Sequence, residues 1–282
     1  QLLKTTFTVF VALVFTAGMA FGQENTTTVT QTTSQNDASV QQDGEGLDAT
    51  VVQKGANLND ATIRQNAENG KTIESTIRQV GFKNQALTNA SRRAENGPDG
   101  VTSQKQFGNR NVAFINLSEG TSPSGDEGAT LTQYQDGNQN YARMSGGNDY
   151  SAEQRQVGNR NVARTSGNGK NADVVQKQVG DDNVARHDGS GFGYASSTQK
   201  QDGDDNFSFL NDLGHDGPGE SYLTVQQGNQ NTVRLDADGY GGVLDVRQNG
   251  VSNTAQVDWS SSLNSATVKQ LGNNNSANVT QN

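Results

Sequence analysis

The sequence contains no cysteine, and only two histidines, three prolines and one tryptophan occur in 282 residues. Without cysteine, the chain forms no disulfide bond and has no thiol nucleophile. His187 and His215 are the only histidines, and no Ser-His-Asp or paired-carboxylate spacing accompanies them. The segment from Asp236 to Gly242 resembles the start of a calcium loop but lacks the glutamate at the twelfth position, so we interpret it as a turn. We therefore predict no catalytic residue, no metal site and no cofactor.

Hydrophobic residues are also scarce, at 30% of the chain, and 33 residues are glycine. Such a composition is typical of disordered chains unless a regular repeat provides another way to bury the backbone. The formal net charge is −9 at pH 7, because 30 acidic residues face 21 Lys and Arg. Phosphate backbones repel a chain of this charge, so we predict no nucleic-acid partner.

A six-residue motif, Gln-x-Gly-x-x-Asn, recurs along almost the whole chain. Nine full copies begin at Gln79 and end with the copy that starts at Gln270. A copy with one extra residue runs from Gln53 to Asn59, and a degenerate copy from Gln31 to Asn36 has Thr33 in place of the glycine. Successive copies begin 21 to 29 residues apart. A period in this range indicates an array of stacked structural repeats.

The residues around each motif alternate with period two, which is the period of a β-strand. In seven of the nine full copies the residue before the motif glutamine is Lys or Arg, as in the pair Lys177 and Gln178. Because unpaired charges are rarely buried, this face of the strand points to solvent and the motif Gln and Asn point inward. His187 falls on the inward face, where we interpret it as a core residue.

Each repeat is thus predicted to form a rung, which we define as a strand, a tight arc at the glycine and a second strand. Buried amides need partners, and rungs stacked in register about 4.8 Å apart let each amide bond to its equivalents above and below. The predicted fold is an all-β solenoid of about eleven rungs that form two facing, parallel, in-register sheets in a cross-β arrangement. The predicted arc glycines are Gly55, Gly81, Gly108, Gly137, Gly158, Gly180, Gly203, Gly228, Gly250 and Gly272.

Two inward columns of amides are predicted to form the assembly ladder. The glutamines are Gln53, Gln79, Gln106, Gln135, Gln156, Gln178, Gln201, Gln226, Gln248 and Gln270. The asparagines are Asn59, Asn84, Asn111, Asn140, Asn161, Asn183, Asn206, Asn231, Asn253 and Asn275.

The chain divides into three parts. Residues 1–22 contain Lys4, then a mostly apolar run and small residues, which predicts a secretory signal peptide that is too short for a membrane span. Residues 23–28 are polar and lack a pattern, so we predict a flexible tail. Residues 29–282 show no linker-like change in composition and are predicted to form one solenoid domain.

Acidic pairs occupy two successive arcs, at Asp181–Asp182 and at Asp204–Asp205. Stacking in register would bring like charges to about 5 Å from one another, where they repel. We interpret these four residues as gatekeepers that keep the chain soluble until it is exported.

Gln-x-Gly-x-x-Asn at a period of about 22 residues behind a signal peptide resembles the curlin repeat of curli amyloid fibres, over residues 29–282. The family's serine six residues before the glutamine is replaced here, for example by Ile73. Its second glutamine after the asparagine is retained only as Gln42, Gln65 and Gln281. The resemblance implies a secreted subunit of extracellular, cell-surface fibres that polymerises with itself in biofilm matrix. It also implies export through an outer-membrane secretion pore, and a nucleator or co-subunit with the same repeat as a further partner.

The predicted function is therefore structural: a solenoid that stacks end to end through uncapped edge strands into amyloid-like fibres for biofilm matrix and adhesion. One alternative is a monomeric secreted solenoid that binds a ligand, such as an adhesin stalk or an ice-binding protein, which would need a flat and regular outer face. A second alternative is a solenoid enzyme that degrades polysaccharide, which would need acidic residues clustered on strands.

Overall fold

The computed structural model describes residues 25–33, 35–55, 57–67, 72–92, 100–119, 130–146, 150–167, 173–189, 196–211, 221–238, 243–260 and 265–281. The predicted signal peptide, residues 1–22, lies outside the described residues. Of the predicted tail, residues 26–28 belong to the first strand, so this part of the prediction is wrong. Thr26, Thr27 and Thr28 are β-branched residues that pair with the backbone of residues 48–50, which favours an extended chain.

The described residues form two parallel sheets of eleven strands each. The first sheet contains β1 (Thr26–Gln31), β3 (Leu47–Lys54), β5 (Ile73–Phe82), β7 (Gly100–Asn109), β9 (Thr130–Asn138), β11 (Ser151–Val157), β13 (Asp173–Val179), β15 (Ser196–Asp202), β17 (Ser221–Gln227), β19 (Val243–Asn249) and β21 (Ser265–Leu271). The second contains β2 (Asp37–Gln41), β4 (Asp60–Arg64), β6 (Gln85–Arg92), β8 (Val112–Glu119), β10 (Tyr141–Arg143), β12 (Val162–Arg164), β14 (Val184–Asp188), β16 (Phe207–Asn211), β18 (Thr232–Asp238), β20 (Thr254–Ser260) and β22 (Ser276–Gln281).

Consecutive strands alternate between the sheets, so every strand pairs with the strands two before and two after it in the chain. Motif positions lie opposite one another: Gln156 pairs with Gln178, and Gln178 pairs with Gln201. The predicted all-β class, the solenoid path and the parallel in-register pairing are confirmed.

Side chains alternate between the core and solvent along each strand, as predicted. Gln178 is fully buried, whereas its neighbour Lys177 is 41% exposed. The apolar part of the core divides into three clusters along the solenoid, which contain Ile63 near the start, Leu131 in the middle and Leu235 near the end. Amides fill much of the space between the sheets, and most of the buried polar side chains are Gln or Asn. The fold therefore depends on satisfying these amides as much as on apolar burial.

Candidate functional site

The motif glutamines form one continuous hydrogen-bonded column from Gln31 to Gln270. The Nε2 of each glutamine donates to the Oε1 of the next at 2.7 to 3.0 Å, through all ten steps. The second N–H of each donates across the core; Gln178, for example, donates to the carbonyl of Val162 at 3.0 Å. Each column residue thus bonds to the next rung and also ties the two sheets together.

The motif asparagines form a second column from Asn36 to Asn275. Asn183 shows the pattern, because its backbone N–H and its Nδ2 both donate to the Oδ1 of Asn161, at 3.0 and 3.1 Å. The same Nδ2 also donates to the carbonyl of Gly203 in the next rung at 2.6 Å. An asparagine therefore contacts the rungs on both of its sides, which explains why no other residue type occupies this position.

The arc glycines adopt positive φ angles, between 92° at Gly55 and 134° at Gly250. From Gly81 to Gly250, a Cβ atom would lie only 1.8 to 2.2 Å from the carbonyl oxygen of the next arc glycine. Glycine is thus required both by the backbone conformation and by the close stacking of the arcs.

The columns and arcs give every repeat the same geometry. A family model matches the first copy of this repeat. Residues 22–55 match the curlin associated repeat. The matched segment contains the degenerate motif from Gln31 to Asn36, the retained second glutamine Gln42, and Gln53 of the next copy. The predicted resemblance is confirmed for this segment. No curated protein matches the chain.

Beyond the segment that carries the curlin associated repeat, the later rungs hold a second glutamine column that our sequence analysis did not single out. Each member lies two residues before a motif glutamine, and its Nε2 donates to the Oε1 of the next member at 2.7 to 3.1 Å. Its members are Gln104, Gln133, Gln154, Gln176 and Gln199. The signal was a Gln-x-Gln pair in five consecutive copies; Ile77 and Thr224 occupy the position in the flanking rungs.

The arc has a second conformational requirement that the sequence also concealed. The residue before each motif asparagine adopts a left-handed conformation, with φ between 55° and 67°, although it is never glycine. Lys83, Arg110 and Asp182 are examples, and such a conformation is uncommon for residues with a Cβ. In each arc that contains the glycine, two residues with positive φ turn the chain from one sheet to the other within a few residues.

The four predicted gatekeepers lie in register on adjacent arcs, but three of them have hydrogen-bond donors. The Oδ1 of Asp181 accepts the backbone N–H of Asn159 at 2.7 Å, and the Oδ1 of Asp204 accepts that of Asp181 at 2.8 Å. Asp182 binds the Nε of Arg160 at 2.7 Å. These carboxylates are therefore integrated into the arc. The predicted role as repulsive charges therefore applies less to Asp181, Asp182 and Asp204, because their carboxylates accept hydrogen bonds. Among the described residues, no such donor is found for Asp205.

Other kinds of site find little support in the described part of the chain. No group of three or more His, Asp and Glu side chains there is arranged to hold a metal ion. The described residues contain no helix that is long and apolar enough to cross a membrane. His187 is 3% exposed and lies on the inward face, as predicted.

Proposed function

We propose that this protein is the structural subunit of an extracellular curli-type amyloid fibre and that it assembles end to end with copies of itself. In this proposal eleven rungs per chain stack on those of the next chain, residues 1–22 direct export and are removed, and residues 29–282 form the solenoid. The role in biofilm matrix and adhesion, passage through an outer-membrane pore and a nucleator with the same repeat are parts of the proposal that rest on the resemblance to curlin. A catalytic role and a cofactor are not part of it.

The observation that carries the proposal is that the motif-glutamine column and the asparagine column both reach the outermost described rungs. β1 and β21 are the two edges of the first sheet, and β2 and β22 are those of the second. Gln31 begins the column, so its Oε1 accepts no hydrogen bond from a preceding glutamine. Gln270 ends the column at the other edge and has an Nε2 N–H that is not donated to a following glutamine. A second copy stacked on the first would join these two groups and continue the column without a break.

Apolar residues at the edges support the same contact. Val29 and Val40 at one edge, and Ala277 and Val279 at the other, are only partly buried, whereas the equivalent Val51 and Val257 are 0% and 1% exposed. Unpaired strand edges with exposed core residues are templates for further pairing. End-to-end stacking would satisfy their hydrogen bonds and remove this apolar surface from water.

Fibre diffraction tests the proposal. The purified secreted chain is expected to form thioflavin-positive fibres with a meridional reflection at about 4.8 Å, because the strands lie perpendicular to the direction of stacking. Growth should accelerate when preformed fragments of the same fibres are added. A chain that stays monomeric in size-exclusion chromatography over days at high concentration would contradict the proposal and favour the monomeric binding module.

The acidic arcs predict how charge controls assembly. We expect the variant with Asp181, Asp182, Asp204 and Asp205 all replaced by asparagine to assemble after a shorter lag at pH 7, with a weaker dependence on pH. Asparagine keeps the acceptor oxygen, as Asn159 and Asn229 show in the same column. The measurement is the lag of thioflavin fluorescence at pH 7 and pH 4.

Lowering the pH weakens the ion pair between Asp182 and Arg160 but relieves the repulsion between the acidic arcs. The effects of the two interactions on the lag therefore have to be measured separately. The hydrogen bond from Arg160 lowers the pKa of Asp182 below its ordinary value of 3.8. A lowered pKa in the folded state means that this contact is present above pH 3.8 and is lost as the pH falls through the lowered value. The pair therefore persists at pH 4, and the single variant Asp182→Asn is the control. An unchanged lag of the quadruple variant at both pH values would disprove the gatekeeper role.

A further inference from the structure

Three arginines lie in register on the outer face of the second sheet. Arg143 of β10 pairs with Arg164 of β12, and Arg164 pairs with Arg186 of β14. Adjacent strands are about 4.8 Å apart, so three positive charges are stacked in a column only two strand spacings long. Phenylalanines end the run, since Phe114 precedes Arg143 and Phe209 follows Arg186 in the same column.

Within the described residues, none of these three guanidinium groups forms an ion pair, whereas other exposed cations do. Arg160 binds Asp182, Lys177 lies 3.5 Å from Glu153, and Arg247 lies 2.8 Å from Asp245. Arg164 has only an aromatic contact, at 5.9 Å from the ring centre of Tyr141. Stacked like charges repel, so the column leaves a positive potential without a counter-charge from the described protein.

The same arginines line a cleft of about 240 Å³, together with His187, Asp188 and Phe209. This volume is below that of a typical pocket for a drug-sized molecule, which begins at about 300 Å³, so it suits a small group. Asp188 is the one acidic residue of the lining, against three arginines. The cleft as a whole is therefore cationic.

Buried polar atoms without partners mark this same place. The Nε of Arg186 and both ring nitrogens of His187 are buried, and none makes a hydrogen bond of ordinary geometry with a described residue. Burial lowers the pKa of His187 to about 4, against a weaker opposing effect of a long hydrogen bond to the Ser166 backbone, so the inward-facing imidazole is neutral at pH 7 and the buried Nε of Arg186 is the donor that faces the cleft. Buried donors without acceptors are rare in folded proteins and need an explanation.

We propose that this cleft is a binding site for a tetrahedral oxyanion group, a sulfate or a phosphate. The guanidinium groups of Arg164 and Arg186 would bind two of its oxygens, since the planar fork of arginine matches this geometry. The Nε of Arg186 would gain an acceptor, and the charge of the anion would offset the repulsion within the column. The site lies on an outer face, so it is available in a single chain and in an end-to-end stack alike. It does not depend on polymerisation.

Equilibrium dialysis of the full secreted chain against labelled sulfate, at constant ionic strength in chloride, tests the site. We expect saturable binding of one sulfate per chain, and a loss of affinity of about tenfold or more when both Arg164→Gln and Arg186→Gln are present. Glutamine fits this column, because Gln256 already occupies it. Far-UV circular dichroism checks that the variant keeps its β-structure.

The matched control is Arg234→Gln. Arg234 is exposed in the same column, but it lies between Phe209 and Gln256 and therefore has no stacked arginine. We expect its replacement to leave sulfate affinity within about twofold of the unaltered chain, because an isolated exposed charge contributes little. An equal loss in the control and in the double variant would overturn the proposal, since it would reduce binding to general positive charge.

Further arms with inorganic phosphate, dextran sulfate and uncharged dextran distinguish the sources of the oxyanion. Binding of free sulfate or phosphate that depends on Arg164 and Arg186 supports a site for the small ion. Binding of dextran sulfate alone, with the same dependence and with no binding of dextran, supports a site for the oxyanion groups of an acidic polysaccharide. Absence of arginine-dependent binding in all arms would refute the site.

Discussion

Replacing Gly158 by alanine is expected to lower the free energy of unfolding by roughly 2–5 kcal/mol, through backbone strain and overpacking together. Gly158 has a φ of +118°, and a Cβ there would lie 2.0 Å from the carbonyl oxygen of Gly180. Neither the arc of Gly158 nor that of Gly180 can move away, because both are held by the asparagine column on the inside. Urea unfolding followed by far-UV circular dichroism measures the loss.

The matched control is Gly272→Ala in the last described arc. Gly272 has a similar φ of +96°, but the nearest atom to its Cβ position is the Nδ2 of Asn275, at an ordinary 3.7 Å. In this variant the free energy of unfolding should fall only by the cost of backbone strain, about 1–2 kcal/mol. The comparison separates conformational strain from the close stacking of arcs. Equal losses at Gly158 and Gly272 would show that strain alone selects glycine.

Replacing Gln178 by leucine is the second change with a large expected effect. The Nε2 of Gln156 would lose its acceptor, and the Oε1 of Gln201 and the carbonyl of Val162 would each lose a donor. The two bonds within the column are buried and the bond to Val162 is part-buried, so we expect a loss of roughly 2–4 kcal/mol in stability, and slower fibre growth because the column is interrupted in every chain. Unfolding in urea and the elongation rate of seeded fibres measure the two effects.

Lys177→Gln is the control for Gln178→Leu, because it changes the adjacent residue on the opposite face. The side chain of Lys177 is 41% exposed, and its contact with Glu153 is 3.5 Å long, so its loss should cost no more than about 1 kcal/mol. Fibre growth should continue at nearly the original rate. Indistinguishable behaviour of the two variants would mean that the buried amides do not determine stability or assembly.

Several features of the fold could be predicted from the sequence because the same physical demand recurs in each repeat. A charged residue beside most motif glutamines, such as Lys177 beside Gln178, shows which face of the strand meets water. A buried amide needs an equivalent in the next rung, and the repeated motif predicts the in-register pairing of Gln156 with Gln178 that the structure has.

Other features could not be predicted because they depend on the backbone conformation or on contacts between rungs, and not on one residue type. The left-handed position before each asparagine is filled by Lys, Arg, Gln, Asp, Ser, Asn or Leu, so no common side chain revealed it. The second glutamine column is present in only five rungs and is replaced elsewhere by residues such as Val246, so it resembled ordinary variation. The pairing of Arg160 with Asp182 joins residues 22 positions apart and required the stacked arcs to be seen.

The motif-glutamine column and the asparagine column also carry opposite electric polarity. Along the motif-glutamine column one N–H of each amide points toward the C-terminal end, as in the bond from Gln156 to Gln178, so the side-chain carbonyl dipoles all align. Along the asparagine column the side-chain oxygen points toward the C-terminal end instead, as the Oδ1 of Asn161 does when it accepts from Asn183. Aligned amides polarise one another and strengthen each bond in a row. Because the two rows oppose each other, their axial dipoles partly cancel, so each further rung adds little net dipole along the solenoid axis, unlike an α-helix, in which all peptide dipoles point the same way.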